Sequence, residues 1–202
     1  MGKAQRKRSR PAAESVTPLL APIQALQNLI SQFHDRGVII GGIAASLLGT
    51  PRYTVDLDAV FLLSLEDIPR LLVAAAEQGI EPRIADPVAF ARKSRVLLLR
   101  HTTSGTDINL SLGILPFEIE MVERSTLVDI GTLKLRLPTP EDLVIMKAVA
   151  HRPKDLEDIQ AIAISHPDLD IKRIRFWIEQ FGEALDLPDL WKMISQMFTA
   201  LN

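Results

Sequence analysis

The feature that most constrains the fold is the stretch GGIAASLLGTPRYTVDLDAVF, residues 41–61, in which a glycine pair precedes two aspartates. The apolar residues around Asp56 and Asp58 are typical of a buried β-strand, so the two carboxylates need an explanation. Because alternate residues of a strand point to the same side, Asp56 and Asp58 share one face of a sheet. Two such charges repel each other, and burying an unpaired charge is costly. A divalent cation relieves both effects, and Mg²⁺ prefers hard oxygen ligands of this kind.

A third acidic residue has a similar setting on another predicted strand. The segment TDINLSL, residues 106–112, alternates polar and apolar side chains, which places Asp107 on its polar face. We therefore expect Asp107 to meet Asp56 and Asp58 and to complete a site for Mg²⁺ or Mn²⁺. The competing interpretation is structural, because Asp-x-Asp is also common on exposed strand edges and in turns.

The glycine pair lies where a short predicted strand, residues 38–40, gives way to a short helix that ends at Gly49. Backbone N–H groups at a helix N-terminus favour a phosphate group. Without side chains, Gly41 and Gly42 let a triphosphate approach the backbone closely. The alternative is a tight strand-to-helix turn with no ligand. A glycine pair, a short helix and Asp-x-Asp on the next strand would place phosphates and metal ions at adjoining strand ends.

A second cluster of charged residues lies in KAVAHRPKDLEDI, residues 147–159. Lys147 is in the last turn of a predicted helix, from which its ammonium group can contact a triphosphate. Asp155 and Asp158 share one face of the helix that follows. The competing interpretation is that these charges only stabilise helix ends. Arg52, directly before the acidic strand, suits a phosphate or acceptor contact, and its alternative is an ordinary surface arginine.

Strands and helices alternate in the first two thirds of the chain, and amphipathic helices dominate after Thr139. We therefore predict an α+β fold with a small mixed sheet flanked by helices and a helical C-terminal part. The expected division is a disordered basic tail over residues 1–17, an α/β core over 18–138 and a helical region over 139–202 that packs on the core.

The two clusters together resemble the nucleotidyltransferase (polymerase-β-like) superfamily, whose signature is Gly-Gly or Gly-Ser, a short helix and Asp-x-Asp. The segment RYTVDLDAVF looks like the Arg-x-Thr-x-Asp-hydrophobic-Asp variant of AbiEii-type toxin-related enzymes and small antibiotic nucleotidyltransferases. The second cluster matches Lys-x4-Arg-x-Lys-Asp-x-x-Asp, a motif that resembles the AbiEii-type group specifically. The resemblance spans residues 37–165 and rests on two separate motifs in the same order.

This resemblance implies a Mg²⁺-dependent enzyme that transfers a nucleoside monophosphate from a nucleoside triphosphate, such as ATP, to an acceptor hydroxyl. The metal ligands are then Asp56, Asp58 and Asp107, which act with Lys147 as the catalytic residues. The residues expected to contact the nucleotide are Gly41, Gly42, Arg52, Lys147, Arg152, Lys154, Asp155 and Asp158.

The acceptor and the biological role stay open between three interpretations. The AbiEii-type resemblance implies an RNA acceptor, such as tRNA, and a toxin role with an antitoxin protein as partner. The antibiotic-modifying relatives imply a small-molecule acceptor instead. The third interpretation is a non-catalytic module that keeps the fold and binds nucleotide or RNA.

Charge and composition narrow these classes only in part. Residues 1–10, MGKAQRKRSR, carry five basic side chains and no acidic one, which predicts either a solvated tail or an RNA contact. The rest of the chain is net acidic, which argues against a broad RNA-binding surface. The chain has no cysteine, so disulfides and thiolate catalysis are excluded. No apolar run is long enough for a membrane span, and we expect a cytoplasmic protein without a membrane partner.

Overall fold

The computed structural model of the protein describes residues 19–199, so the predicted basic tail, residues 1–17, lies outside the described part. Nine α-helices, seven β-strands and a 3₁₀ turn over Leu65–Asp67 make up this part of the chain. In chain order the helices and strands are α1 (Leu20–Gln32), β1 (Gly37–Ile40), α2 (Gly41–Leu48), β2 (Asp56–Phe61), α3 (Ile68–Glu77), β3 (Ile80–Pro82), α4 (Pro87–Ser94), β4 (Val96–His101), β5 (Asp107–Leu112), α5 (Pro116–Arg124), β6 (Thr126–Ile130), β7 (Leu133–Leu137), α6 (Pro140–Ala150), α7 (Pro153–Ser165), α8 (Ile171–Ala184) and α9 (Leu190–Thr199).

Five strands form one mixed sheet in the order β1-β2-β5-β4-β3, and β6 and β7 form a separate hairpin. Strands β2 and β5 are parallel, whereas the other neighbours in the sheet are antiparallel. Parallel neighbours require a crossover connection, and here the chain passes through α3, β3, α4 and β4 between them. The sheet and the helical C-terminal part confirm the predicted α+β fold class.

The corner between α6 and α7 has clear local causes. Thr139 caps the start of α6, because its side-chain oxygen accepts the backbone N–H of Asp142 at 3.2 Å. His151 ends that helix in the left-handed conformation, with φ of +49°. Pro153 then occupies the first position of α7, where its missing N–H is tolerated. The corner therefore brings Lys147, near the end of α6, close to the first turn of α7.

One face of the sheet forms the centre of the hydrophobic core. Its side chains on the three central strands are fully buried and are Leu57, Ala59, Leu97, Leu99, Ile108 and Leu110. The same continuous core includes Val144 and Ile145 of α6 and Ile159 and Ile162 of α7. Gly49 lets α7 come close, because a Cβ atom there would lie 3.2 Å from the Ala161 Cβ. The first two C-terminal helices thus share one apolar core with the sheet.

In the described part of the chain, no helix combines the length and the apolar character needed to cross a lipid bilayer.

Candidate active site

The predicted acidic residues lie at the N-terminal ends of the two parallel strands. In the register of β2 and β5, Asp56 is opposite Asp107, and Asp58 is opposite Asn109. Asp56 and Asp58 are half-buried, whereas Leu57 between them is fully buried in the core. The alternation predicted for the acidic strand therefore places both carboxylates on the polar face of the sheet.

In the described part of the chain, the side chains that donate hydrogen bonds to Asp56 and Asp58 are neutral. The Thr54 Oγ1 hydroxyl donates to Asp56 Oδ1 at 3.2 Å, and the Asn109 Nδ2 amide donates to Asp58 Oδ1 at 3.0 Å. Among residues 19–199, no basic side chain forms an ion pair with either carboxylate. Burial, assisted by the neighbouring charge of Asp56, raises the pKa of the Asp58 carboxyl.

Asp107 has a different environment, because two arginines hold its carboxylate. Arg83 Nη1 lies 2.6 Å from Asp107 Oδ2, and Arg100 Nε lies 2.7 Å from Asp107 Oδ1. Arg83 also donates through Nη2 to Asn109 Oδ1 at 2.5 Å. The hydrogen bond from Arg100 and the charge of Arg83 lower the pKa of Asp107. The structure thus brings Asp107 beside the acidic pair but neutralises its charge with protein side chains.

Sequence reasoning missed both arginines. Arg100 could have been found from the β4–β5 hairpin, since it pairs directly with Asp107 in the antiparallel register. Arg83 follows the short edge strand β3 and has no comparable signal in the sequence, because a chain separation of 24 residues lies between it and Asp107.

The two glycines are required by side-chain packing in the site. Gly41 has φ of +66°, and a Cβ atom there would lie 2.2 Å from Asp58 Oδ2. A Cβ atom on Gly42 would lie 2.5 Å from Thr54 Oγ1. The space that we predicted for a triphosphate beside the glycine backbone is bordered by the side chains of Asp58 and Thr54. These contacts place the start of α2 directly against the acidic strand.

Residues of the second cluster form a buried ion-pair network. Lys147 Nζ lies 2.9 Å from Asp155 Oδ1 and 2.7 Å from Asp158 Oδ2, and all three side chains are almost fully buried. Arg52 binds Asp158 in a bidentate pair, with Nε at 2.8 Å from Oδ1 and Nη2 at 2.9 Å from Oδ2. Arg152 Nε donates to Asp155 Oδ2 at 2.6 Å. The network ties the loop before β2 to α6 and α7.

Electrostatics within this network favour the ionised carboxylates. Burial alone raises the pKa of Asp155, but hydrogen bonds from Arg152 and Lys147 outweigh burial, so the pKa is lowered. Asp158 follows the same balance, with Arg52 and Lys147 as its donors, and its pKa is also lowered. The network holds three cationic groups against two carboxylates and therefore has an excess positive charge.

Lys154 is the predicted site residue that this arrangement leaves out. Its side chain is exposed, and it forms no ion pair with residues 19–199. The other predicted site residues meet around the acidic pair and are Gly41, Gly42, Arg52, Asp56, Asp58, Asp107, Lys147, Arg152, Asp155 and Asp158.

Two cavities open beside the acidic pair. One, of about 220 Å³, is lined by Gly41, Asp58, Lys147, Arg152 and Asp155 together with apolar residues of β1 and α6. The other, of about 340 Å³, is lined by Asp56, Asp107, Arg83, Arg100 and their neighbours Val55, Gly105 and Asn109. A larger cavity, of about 870 Å³, contains none of the predicted site residues. The acidic pair thus contributes one aspartate to each of two separate spaces.

Acidic side chains in the described part of the chain do not form a ready-made metal cage. Within residues 19–199, no group of three or more His, Cys, Asp or Glu residues is arranged to hold a metal ion. At the predicted site, two arginines engage the third carboxylate, Asp107.

Comparison with solved structures supports the fold. The crystal structure of an antigenic nucleotidyltransferase-like protein from Paracoccidioides brasiliensis matches with a TM-score of 0.50 and 17% sequence identity. The match covers 91% of this chain and 94% of that chain. No functionally curated protein matches the sequence. The specific likeness to AbiEii-type enzymes stays a prediction.

A family model covers nearly all of the described part of the chain. It matches residues 19–187, which include both charged clusters, all five strands of the main sheet and helices α1 to α8. The chain belongs to the family described as nucleotidyltransferase of unknown function (DUF6036).

Proposed function

We propose that this protein is a Mg²⁺-dependent nucleotidyltransferase that transfers a nucleoside monophosphate from a nucleoside triphosphate to an acceptor hydroxyl. One observation carries the proposal. Asp56 and Asp58 lie side by side on the polar face of β2, without a cationic partner among residues 19–199, directly against the Gly41 turn. Two unneutralised carboxylates, one of them with a raised pKa, are energetically unfavourable unless a cation binds them.

The donor atoms at this site fit a magnesium ion. Asp56 and Asp58 offer hard carboxylate oxygens, and Mg²⁺ in enzymes is usually held by one or two carboxylates, water and substrate phosphates. Asp107 fits as a third ligand only when Arg83 and Arg100 release its carboxylate. When bound, Mg²⁺ lowers the pKa of an acceptor hydroxyl and stabilises the charge on the leaving pyrophosphate.

The protein's own residues position the nucleotide in the cavity beside Asp58. Lys147 uses two of its three ammonium N–H donors on Asp155 and Asp158, so one donor remains for a phosphate oxygen. Arg152 borders the same cavity and adds positive charge. Because the network is preorganised by buried carboxylates, these cations need no rearrangement to meet the developing charge on the phosphates.

Asp107 is a weak proton acceptor while the two arginines hold it, because its pKa is lowered. For Asp107 to take the proton of the attacking hydroxyl, its carboxylate must first be released from Arg83 and Arg100. In-line attack on the α-phosphorus would then proceed between the two cavities, and catalysis would come mainly from positioning and charge stabilisation.

The test is a transfer assay with labelled nucleoside triphosphates, Mg²⁺ and total RNA. The measured quantities are the release of pyrophosphate and the incorporation of label into RNA. We expect Asp56→Asn and Asp58→Asn to lower the rate about 100-fold or more, because each removes a ligand from the reacting centre. Asp129→Asn is the matched control, since Asp129 is an exposed aspartate on the separate hairpin. Full activity in either site variant would contradict the assignment.

The acceptor is proposed to be RNA, such as tRNA, with a small molecule as the alternative. A salt titration of tRNA binding, with and without residues 1–10, separates these acceptors, because phosphate contacts make affinity strongly salt-dependent. Negligible tRNA binding by both forms would favour the small molecule.

A second candidate function is a non-catalytic nucleotide-binding module of the same fold. The specific observation in its favour is the double ion pair that neutralises Asp107. Calorimetry that detects metal-dependent binding of a nucleoside triphosphate, together with no pyrophosphate release with any acceptor, would favour this function over the enzyme.

A further inference from the structure

We propose that Arg83 and Arg100 form an anion subsite that binds a phosphate group of the acceptor, and that Asp107 fills this subsite until the phosphate arrives. This inference rests on the proposed transfer function and specifies its acceptor as a phosphate-bearing molecule. It also implies that the acceptor, by displacing Asp107 from the arginines, makes this third carboxylate available beside Asp56 and Asp58.

The first argument is the number of available donors. Each oxygen of the Asp107 carboxylate is held by a different arginine, through Arg83 Nη1 and Arg100 Nε. The two terminal nitrogens of Arg100 donate to no residue in the range 19–199, and about half of that side chain is exposed. A guanidinium group has five N–H donors, so Arg100 can bind a second anion.

The second argument is the place of these donors. Both arginines line the cavity of about 340 Å³ that also contains Asp56, whereas Lys147 and the glycine turn border the cavity beside Asp58. A nucleotide held by Lys147 and an acceptor held by the arginines would therefore approach the acidic pair from different sides. This is the arrangement that an in-line transfer between two substrates requires.

The third argument is chemical selectivity. The planar fork of arginine matches the oxygens of phosphate, and a phosphate group offers more charge and more acceptor oxygens than the single carboxylate that it would replace. The subsite therefore favours an acceptor with a phosphate near the reactive hydroxyl.

Displacement by phosphate has a direct consequence for Asp107. Once the arginines bind the phosphate, the Asp107 carboxylate is released next to Asp56, its partner in the strand register. Arg83 and Arg100 thus act as positioning residues for Asp107 as well as ligands of the acceptor. The third carboxylate becomes available only when the acceptor is present.

The binding test uses the full chain without a divalent cation, so that it does not depend on turnover. The probes are a short RNA with a free 3′ hydroxyl, a nucleoside monophosphate and the same nucleoside without phosphate, each measured by calorimetry. We expect Arg83→Gln and Arg100→Gln to weaken binding of the phosphate-bearing probes about tenfold each. Arg92→Gln, an exposed arginine on α4, should change nothing.

The decisive variant is Asp107→Asn, for which the expected change has the opposite sign. Removal of the internal anion should tighten phosphate binding about tenfold, although the same variant slows transfer. Weaker or unchanged phosphate binding by Asp107→Asn would overturn the proposal, as would equal binding of the nucleoside without phosphate. Melting temperatures of all variants identify any that fail to fold, and Arg100→Lys, which keeps the charge but loses the fork, replaces Arg100→Gln if needed.

These measurements distinguish an RNA acceptor from a small phosphorylated acceptor. They also distinguish a failure of the subsite proposal from a failure of the proposed transfer function. Tight binding of RNA alone assigns a polynucleotide acceptor, and equal binding of the monophosphate assigns a small phosphorylated acceptor. If transfer requires Asp56 and Asp58 but is insensitive to Arg83→Gln and Arg100→Gln, only the subsite is wrong. If phosphate binds as expected but no acceptor is modified, only the transfer function is wrong.

Discussion

At Gly41 the backbone and the Asp58 carboxylate occupy neighbouring space so closely that no side chain fits. We predict that Gly41→Ala destabilises the protein by about 1–2 kcal/mol for the left-handed backbone and by a further 1–3 kcal/mol, roughly, for overpacking against Asp58. Urea unfolding measures both effects together.

Gly131→Ala is the matched control for that prediction. Gly131 has φ of +62°, and a Cβ atom there would have nothing within 4 Å. This variant should show only the backbone effect. Equal destabilisation by the two substitutions would mean that Gly41 does not contact Asp58 as the structure shows.

The raised pKa of Asp58 predicts a stability effect with a defined sign. A carboxyl whose pKa is higher in the folded state loses stability as the pH rises from the unfolded-state value, about 3.9, through the folded-state pKa. Asp58→Asn removes this loss and can still accept the Asn109 hydrogen bond through its amide oxygen. We expect the variant to melt higher than the natural protein at pH 7 and to match it below about pH 4.

Magnesium provides the complementary measurement for the same residue. Added Mg²⁺ should raise the melting temperature of the natural protein and leave that of Asp58→Asn nearly unchanged, because a ligand that binds only the folded state stabilises it. A natural protein that melts higher than the variant at pH 7 without metal would contradict the burial argument.

At the residue scale, the sequence predicted the acidic pair but not its electrostatic surroundings. Strand alternation places Asp56 and Asp58 on one face, whatever the rest of the fold does. The ion pair between Arg83 and Asp107 depends on how far β3 extends along β4, and this register is set by tertiary packing. The neutralised state of Asp107 therefore could not be predicted from its own strand.

At the element scale, the corner between α6 and α7 is stabilised by the ion-pair network around Lys147. We predict that Lys147→Met destabilises the protein by about 3–5 kcal/mol, because it leaves two buried carboxylates without their shared cation. Lys154→Met, at an exposed lysine without an ion pair in the described part of the chain, should change stability by less than about 0.5 kcal/mol. Thermal unfolding at pH 7 compares the two.

A double variant shows whether the cost comes from buried charge. Adding Asp155→Asn to Lys147→Met should recover part of the lost stability, since it removes one of the two buried carboxylates that have lost their contact with Lys147. Additive losses in the double variant would instead indicate that the two side chains act independently.

The helix corner itself could be predicted from the sequence, whereas the burial of its charges could not. Thr139, Pro140 and Pro153 are local signals of helix starts, and the structure confirms both helices. Whether Lys147 extends into solvent or into the protein depends on how closely α2 approaches α7. Gly49 allows this approach, because its missing side chain leaves room for Ala161 of α7. The sequence contains no local sign of that approach.

At the scale of the whole molecule, one hydrophobic core joins the sheet to the C-terminal helices. Val144 and Ile145 of α6 are fully buried in the same core as Ile39 of β1 and Ile43 of α2. We therefore predict that a chain ending at Pro138 shows no cooperative thermal unfolding, because the shared core then loses the buried apolar side chains of these helices. Circular dichroism during heating tests this expectation.

Removal of residues 1–17 is the control for that truncation. The sequence predicts a basic tail there, and the first helix in the described part of the chain begins at Leu20. The shortened chain should keep a cooperative transition. A cooperative transition in the chain that ends at Pro138 would instead show that the predicted core, residues 18–138, is an independent folding unit.

The order of the chain adds a consequence for protein synthesis. A ribosome adds about 5–20 residues per second, and the acidic strand and the glycine turn are made long before α6 and α7. Until Lys147, Asp155 and Asp158 emerge, the nascent chain has Asp56 and Asp58 but not the buried cation that borders the cavity beside Asp58. The two charged clusters of the site therefore come together only after α6 and α7 have been made.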